Sequence, residues 1–368
     1  MLSVLTNPDV DGITLRQGWT DLEPTEGNFD FSYLDSAVAS CVANGKKILL
    51  RIATQNGKPA WVTAAVAANG GSFFTFDDNG TSTTIPVFWD PTFLAKKKAM
   101  IAALGAHFSS NPAIKVVAAS FANATSEDWN VPHTQEYVTQ WLALGYTSEK
   151  MLDAGKQIID ATMIAFPNQV VTMAVGGSGH INGTNLDPTS TYLARGAIDA
   201  ARATWPGRMV AQKNDLSTFI PTAPGIETLY EMIWDFQPDV GGQMVYQVVN
   251  DPTYRANGGV PDDLGTILQN SIDGALSYNE KYVEVYQIDA SALPTVISYA
   301  HQALTAGQPP TPTPTATPSA TPSPTPSATP TATPSATPTP TATPSATPTP
   351  TATPPSQPSP PTGLRVVS

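Results

Sequence analysis

The chain has 368 residues, a formal net charge of −12, four histidines and one cysteine, Cys41. A single cysteine excludes an internal disulfide framework, and the scattered histidines have no metal-ligand spacing, so neither a structural metal nor a cofactor is expected. The absence of a basic stripe argues against nucleic acid, and no apolar run approaches the roughly 20 residues of a membrane-spanning helix.

Residues 1–9 read as the end of a helix and a turn, with no strand before them and no signal peptide. Short runs rich in β-branched or aromatic residues then predict strands at 12–17, 47–52, 115–121, 169–175, 209–213, 242–247 and 282–288. Between them lie stretches with helical spacing of apolar residues. Residues 33–44 carry Leu34, Val38 and Val42, followed by Gly45 as a residue for a left-handed helix end. Residues 91–108 place Phe93, Leu94, Met100, Ile101 and Leu104 inward and Lys96 to Lys98 outward. Residues 148–166 open with a serine cap and carry Met151, Leu152, Ile158 and Ile159. Further helices are expected near 190–204, 224–236, 262–278 and 291–304. Repeated β–α alternation argues for a parallel sheet.

The composition changes near residue 307. From Pro309 onward there are 20 of the 36 prolines and one charged residue, Arg365. Repeats such as TPTATPSATP cannot bury enough apolar surface to fold, and they favour an extended spacer with Ser/Thr sites for O-glycans. The expected division is a folded domain over 1–306, a spacer over 307–357, and a third segment over 358–368. The last of these, PSPPTGLRVVS, resembles the first strand of a fibronectin type III module.

The most specific stretch is GITLRQGWTDLEPTEGNFDFSYLDSAVASCVANGKKILLRIATQNGKPAWV. Its ordered elements are Trp19, Leu22-Glu23-Pro24, Gly27, Phe29-Asp30-Phe31, Asp35, Gly45 and Pro59-Ala60-Trp61. This stretch resembles the second and third βα units of clan A glycoside hydrolases, above all the family 42 β-galactosidase type, and a weaker likeness runs over residues 10–305. The resemblance implies a (β/α)8 TIM barrel. Because the first recognisable unit matches the second of the family, a barrel lacking its first strand and most of its first helix is expected. The alternative is a complete open doubly wound sheet.

The resemblance also assigns chemistry. Counted with a missing first strand, residues 116–121 form strand four and lead into ANATSEDWNVPH, where Glu127 matches the family's general acid/base. The family usually has Asn-Glu there, whereas this chain has Ser126-Glu127, with Asn123 nearby. A partly apolar pocket lined by Trp129 would raise the carboxyl's pKa, as acid catalysis requires. The family's nucleophile on strand seven has no counterpart, because residues 242–247 offer Gln243 and Gln247 instead. Glu284 is the expected partner: alternation puts Tyr282, Glu284 and Tyr286 on one face of strand eight. A carboxylate in a buried strand is costly unless paired or used, so Glu284 is either catalytic or held in an internal ion pair with Arg16 or Arg51.

Aromatic and polar groups near strand ends complete the expected site: Trp19, Trp61, Trp89 and Trp129 as stacking surfaces, and Arg51, Asn123, Asn214 and Gln243 for hydroxyls. Each tryptophan could instead belong to the core. Glu23 reads as a loop carboxylate accepting backbone N–H bonds, and Asp90 as a helix cap. The expected function is hydrolysis of a β-glycosidic bond in a carbohydrate. The alternatives are a carbohydrate-binding barrel without turnover and a structural module of a cell-surface protein. A secreted or surface location, with tethering through the C-terminal segments, accompanies this reading.

Overall fold

The computed structural model describes residues 2–54, 58–78, 80–120, 134–175, 180–187, 190–221, 228–306 and 366–367. The first half of the chain runs α1 (Leu2–Leu5), β1 (Gly12–Gly18), the single turn α2 (Trp19–Leu22), α3 (Ser32–Ala43) and β2 (Lys47–Ala53). It continues with α4 (Ala60–Ala68), β3 (Phe73–Asp78), β4 (Thr81–Pro86), α5 (Pro91–Phe108) and β5 (Ile114–Ala118). The second half runs α6 (Val138–Ala143), α7 (Ser148–Ala165), β6 (Val170–Ala174), β7 (His180–Asn182), β8 (Asn185–Asp187), α8 (Tyr192–Thr204) and β9 (Met209–Leu216). It ends with α9 (Thr228–Asp235), β10 (Val240–Met244), α10 (Leu264–Ser277), β11 (Val283–Val285), α11 (Gln287–Ala292), α12 (Pro294–Ala306) and β12 (Val366–Val367).

The strands close a parallel barrel in the order β1-β12-β11-β10-β9-β6-β5-β2. The fold is therefore the (β/α)8 class, not an open doubly wound sheet. Strands buried on both faces need apolar residues throughout, and all five residues of β6 are buried. Inside the barrel, Leu49, Val116, Val170, Val210 and Tyr282 form a separate apolar cluster. Outward-facing residues such as Ile48 and Leu50 join the larger core beneath the helices.

Local signals set the helix ends. Asp90 accepts a hydrogen bond from the Phe93 backbone N–H (2.9 Å) with Pro91 at the first position of α5, the cap expected of it. Gly45 follows α3 with φ of 67°, a conformation costly for residues with a Cβ. Helix α7 is capped by Thr147, one residue earlier than the serine expected. Lys97, expected on the outer face of α5 with its neighbours, is buried instead and donates to Thr54 Oγ1 (3.0 Å). Burial, with a smaller contribution from Lys58, lowers its pKa to about 7. The long stem fills space between α5 and β2, which periodicity alone does not reveal.

Four further differences matter. The connection after β2 holds α4 and the β3–β4 hairpin, and the one after β6 holds the β7–β8 hairpin. Neither hairpin was expected from the sequence. The strand expected at 282–288 ends at Val285, and Gln287 already opens α11. The strand expected at 242–247 is shifted to Val240–Met244, leaving Gln247 beyond it. Finally, the seven strands expected from the sequence, β1, β2, β5, β6, β9, β10 and β11, make the nearly closed parallel barrel, and the two-residue β12 stands between β1 and β11. Val366–Val367, read from sequence as the start of a separate module, pair with β1 and β11. The expected spacer, 307–357, lies outside the described residues. Among the described residues, no helix is long and apolar enough to cross a membrane.

Candidate functional site at the C-terminal end of the barrel

In a (β/α)8 barrel the chemistry sits at the C-terminal ends of the strands, on the βα connections. Here the connections after β2, β5 and β6 are fastened together. The Asp77 backbone N–H of β3 donates to the Tyr137 hydroxyl (3.0 Å), beside α6. Gln135 donates to the Thr184 carbonyl (3.1 Å) and accepts from the Leu186 N–H (2.8 Å), joining the β7–β8 hairpin. Phe74 stacks on Trp141 at 3.9 Å between centroids, and Trp141 also meets Trp89 at 5.6 Å. These contacts make a rigid wall from three loops that are separate in sequence.

The loop at the end of β1 explains the LEP motif. Glu23 is buried and accepts from Trp19 Nε1 (2.8 Å) and from the Gly27 backbone N–H (2.9 Å), as the backbone-capping reading expected. Trp61 Nε1 donates to the Glu23 carbonyl (3.0 Å), and its ring meets Trp19 edge-on at 6.1 Å. Trp19 is fully buried, so it is a core residue with no face open to a sugar, which corrects its assignment as a stacking surface. Its indole is consumed in holding the loop. Trp61 and Trp89 are half-buried. Trp89 also lies edge-on to Tyr146 at 5.7 Å.

Above the apolar floor the barrel interior turns polar. Alternation points Thr14 of β1, Arg51 of β2, Thr172 of β6, Gln212 of β9 and Glu284 of β11 toward the axis. Glu284 is 1% exposed. Its Oε1 accepts from Arg51 Nη2 (2.9 Å) and Gln212 Nε2 (2.8 Å), and its Oε2 accepts from Thr14 Oγ1 (3.0 Å). Arg51, one of the two arginines considered from sequence, pairs with it. Gln212 also donates to Asn214 Oδ1 (2.7 Å) and accepts from the Tyr282 hydroxyl (2.7 Å). The Tyr282 hydroxyl lies 2.8 Å from Thr172 Oγ1, and burial beside Glu284 raises its pKa. Arg51 Nη1 reaches Gln243 Oε1 at 3.3 Å.

The structure thus brings Arg51, Asn214, Gln243 and Glu284 into one hydrogen-bonded group. Asn214 and Gln243 are half-buried and form its open side toward the strand ends, whereas Glu284 lies beneath. Arg16, at the same end of β1, is exposed. Glu127, Asn123 and Trp129 lie outside the described residues. Sequence reasoning missed Thr14, Thr172 and Gln212. For two of them the signal was available: Thr14 lies two residues from Arg16 and Gln212 two residues from Asn214, whereas Thr172 has only apolar residues at those positions and in register. Among the described residues, no cluster of His, Cys, Asp and Glu converges as a metal site would.

The class that this architecture defines is the (β/α)8 barrel with a polar interior at its C-terminal end. Comparison with known proteins finds similarity to glycoside hydrolases over part of the chain. The glycosyl hydrolase family 42 model, described as beta-galactosidase, matches residues 4–155. The catalytic domain of beta-amylase from Paenibacillus polymyxa superposes with a TM-score of 0.52 at 12% identity, covering 82% of this chain and 92% of that one. An exo-beta-1,4-mannosidase from an Opitutaceae bacterium gives 0.47 at 10% identity, over 82% of this chain and 55% of that chain. The beta-galactosidase of the psychrophilic Marinomonas ef1 gives 0.39 at 12% identity, over 59% of this chain and 38% of that chain. No curated protein matches the sequence. At these identities the structural likeness defines the fold, and the family match covers the first part of the barrel.

Proposed function

We propose that the protein is a glycoside hydrolase that cleaves a β-glycosidic bond in a neutral poly- or oligosaccharide, of the β-galactosidase or β-glucanase type. The observation that carries this reading is the polar group of Arg51, Asn214, Gln243 and Glu284 inside a barrel similar in sequence to beta-galactosidases over residues 4–155. Amides and a guanidinium arranged around a carboxylate are suited to the hydroxyls of a sugar. Half-buried Trp61 and Trp89 offer aromatic faces near the same rim.

In this reading Glu127 is the general acid/base and Glu284 the second carboxylate. Arg51 and Gln212 keep Glu284 oriented through charge-assisted hydrogen bonds. Two-carboxylate hydrolysis works at a separation of about 5–5.5 Å with retention or roughly 6.5–9.5 Å with inversion. Secretion or surface display, with the C-terminal segments as a tether, belongs to the same proposal.

A second reading is a barrel that binds carbohydrate without turning it over. Strand β10 presents Gln243 rather than a carboxylate, and Glu284 is engaged by three donors. Hydrolysis of aryl-β-glycosides and β-glucans by the wild type and by Glu127→Gln separates the two. Turnover that falls at least ~100-fold in the variant is expected of an acid/base residue. Glycan binding with no turnover by the wild type would replace the hydrolase with the binding barrel.

A further inference from the structure

Beside the polar group, the rim of the barrel holds a second opening. A cavity of about 450 Å³ lies between the connection that follows β10 and the start of α11, lined by Gln247, Tyr286, Gln287, Ile288 and Ser291. Pockets of roughly 300–1,000 Å³ hold small ligands. None of these five side chains is charged. Gln247 and Gln287 are half-buried, and their side-chain amides make no hydrogen bond to another described residue. Amides that can both donate and accept, beside a phenol ring with a flat apolar face, suit the hydroxyls and the ring of a sugar.

Tyr286 joins this cavity to the candidate site. It is half-buried, its hydroxyl shares a hydrogen bond with the Gln243 side chain, and Gln243 in turn meets Arg51 Nη1 at 3.3 Å. One side chain therefore separates the cavity from the group around Glu284. A saccharide held at Gln243 and continuing outward past Tyr286 enters the cavity.

The outer wall is held in place by a constrained turn. Tyr246 is 36% exposed, and its ring lies 6.5 Å from that of Tyr286 between centroids, tilted by 50°. The Arg255 guanidinium stands over the Tyr246 ring, 5.1 Å from its centroid. Arg255 follows Tyr254, whose φ of 50° is costly for a residue with a Cβ. The Asp251 carboxylate holds that conformation by accepting from the backbone N–H groups on either side of it, those of Thr253 (2.9 Å) and Arg255. Thr218, from the connection after β9, braces the same turn: its N–H donates to the Ala256 carbonyl (3.0 Å) and its hydroxyl to Asn257 Oδ1 (2.7 Å). An exposed ring adds little to the core, so what this turn serves is the presentation of Tyr246 and Arg255 at the rim.

We propose that the cavity is an outer sugar subsite, in which the pyranose next to the one held by Gln243 and Asn214 packs against Tyr286 and Tyr246 and hydrogen-bonds Gln247 and Gln287. Chain length then becomes a basis of selection, because an oligosaccharide occupies both places and a simple glycoside only the inner one. The proposal rests on the glycosidase reading of the barrel. The test is calorimetric titration with methyl β-glucoside, methyl β-galactoside and the β-1,4-linked gluco- and galacto-oligosaccharides of two to four units, beside turnover of aryl-β-glycosides. In the wild type the second unit is expected to raise affinity about tenfold or more. That gain should fall below about threefold in Tyr246→Ala and in Gln247→Ala/Gln287→Ala, and return in Tyr246→Phe, which keeps the ring. Affinity that does not rise with the second unit, or that rises equally in the alanine variants, overturns the subsite and leaves the glycosidase reading standing. No binding of any of these saccharides, together with no turnover of the aryl glycosides, overturns the glycosidase reading and the subsite with it.

Discussion

Two buried carboxylates four residues apart, one inside the barrel and one beneath the helices, show how differently this protein treats charge. Glu284 faces the axis, is 1% exposed and accepts hydrogen bonds from a guanidinium, an amide and a hydroxyl. Glu280 is 4% exposed on the helix side of the barrel. Its Oε2 has no hydrogen-bond partner among the described residues, and burial with nearby Asp215 raises its pKa well above the usual carboxylate range. The space it occupies exists because position 242 is glycine: a Cβ there would come within 2.2 Å of the Glu280 carboxylate. Burial alone therefore does not mark a functional carboxylate. The donors built around Glu284 come from three strands, β1, β2 and β9, whereas Glu280 Oε2 has none among the described residues.

The largest effect should come from breaking the interior pair. Arg51→Ala leaves Glu284 buried without its cation, and a loss of about 3–5 kcal/mol in urea denaturation is expected. A loss under 1 kcal/mol would mean that the pair is as weak as an exposed one.

Glu280→Gln should act in the opposite direction and less strongly. A carboxyl whose folded pKa lies above its unfolded value gives stability that is fully present below pH ~4.5 and lost as pH rises through the folded pKa. The amide does not ionise, so the variant should match the wild type near pH 4 and melt higher at pH 8. Parallel melting curves across that range would show that Glu280 is not protonated in the fold.

Much of the scaffold was legible because its cues are local. The β-branched runs located the seven strands from β1 to β11 that enter the barrel, Asp90-Pro91 marked the start of α5, and alternation put Tyr282 and Glu284 on one face. Glu23 could be recognised as structural because a loop carboxylate beside Gly27 has backbone donors at hand. The β3–β4 hairpin was hidden in a stretch read as a loop, although Asn-Gly at 79–80 is a turn signal and Phe74 and Phe76 alternate with polar residues. The shift of β10 follows from Gly241 and Gly242, which carry no hydrophobic pattern. Trp19 looked like a rim platform because its burial depends on Phe93 and Trp61, which pack on it from later elements. At β12 a strand was read, as the start of a separate module, but its pairing was not, because both of its partners are distant in sequence. The donors around Glu284 were similarly dispersed over β1, β2 and β9, so the sequence supplied candidates but not their union.

The most direct test of the interior as a catalytic site is the turnover of aryl-β-glycosides by Glu284→Gln, a change that keeps the shape of the side chain. The account predicts a folded protein that still binds oligosaccharide in titration calorimetry but loses at least ~1,000-fold in kcat. Wild-type kcat in a folded Glu284→Gln protein would contradict it and leave Glu284 as an anchor for Arg51.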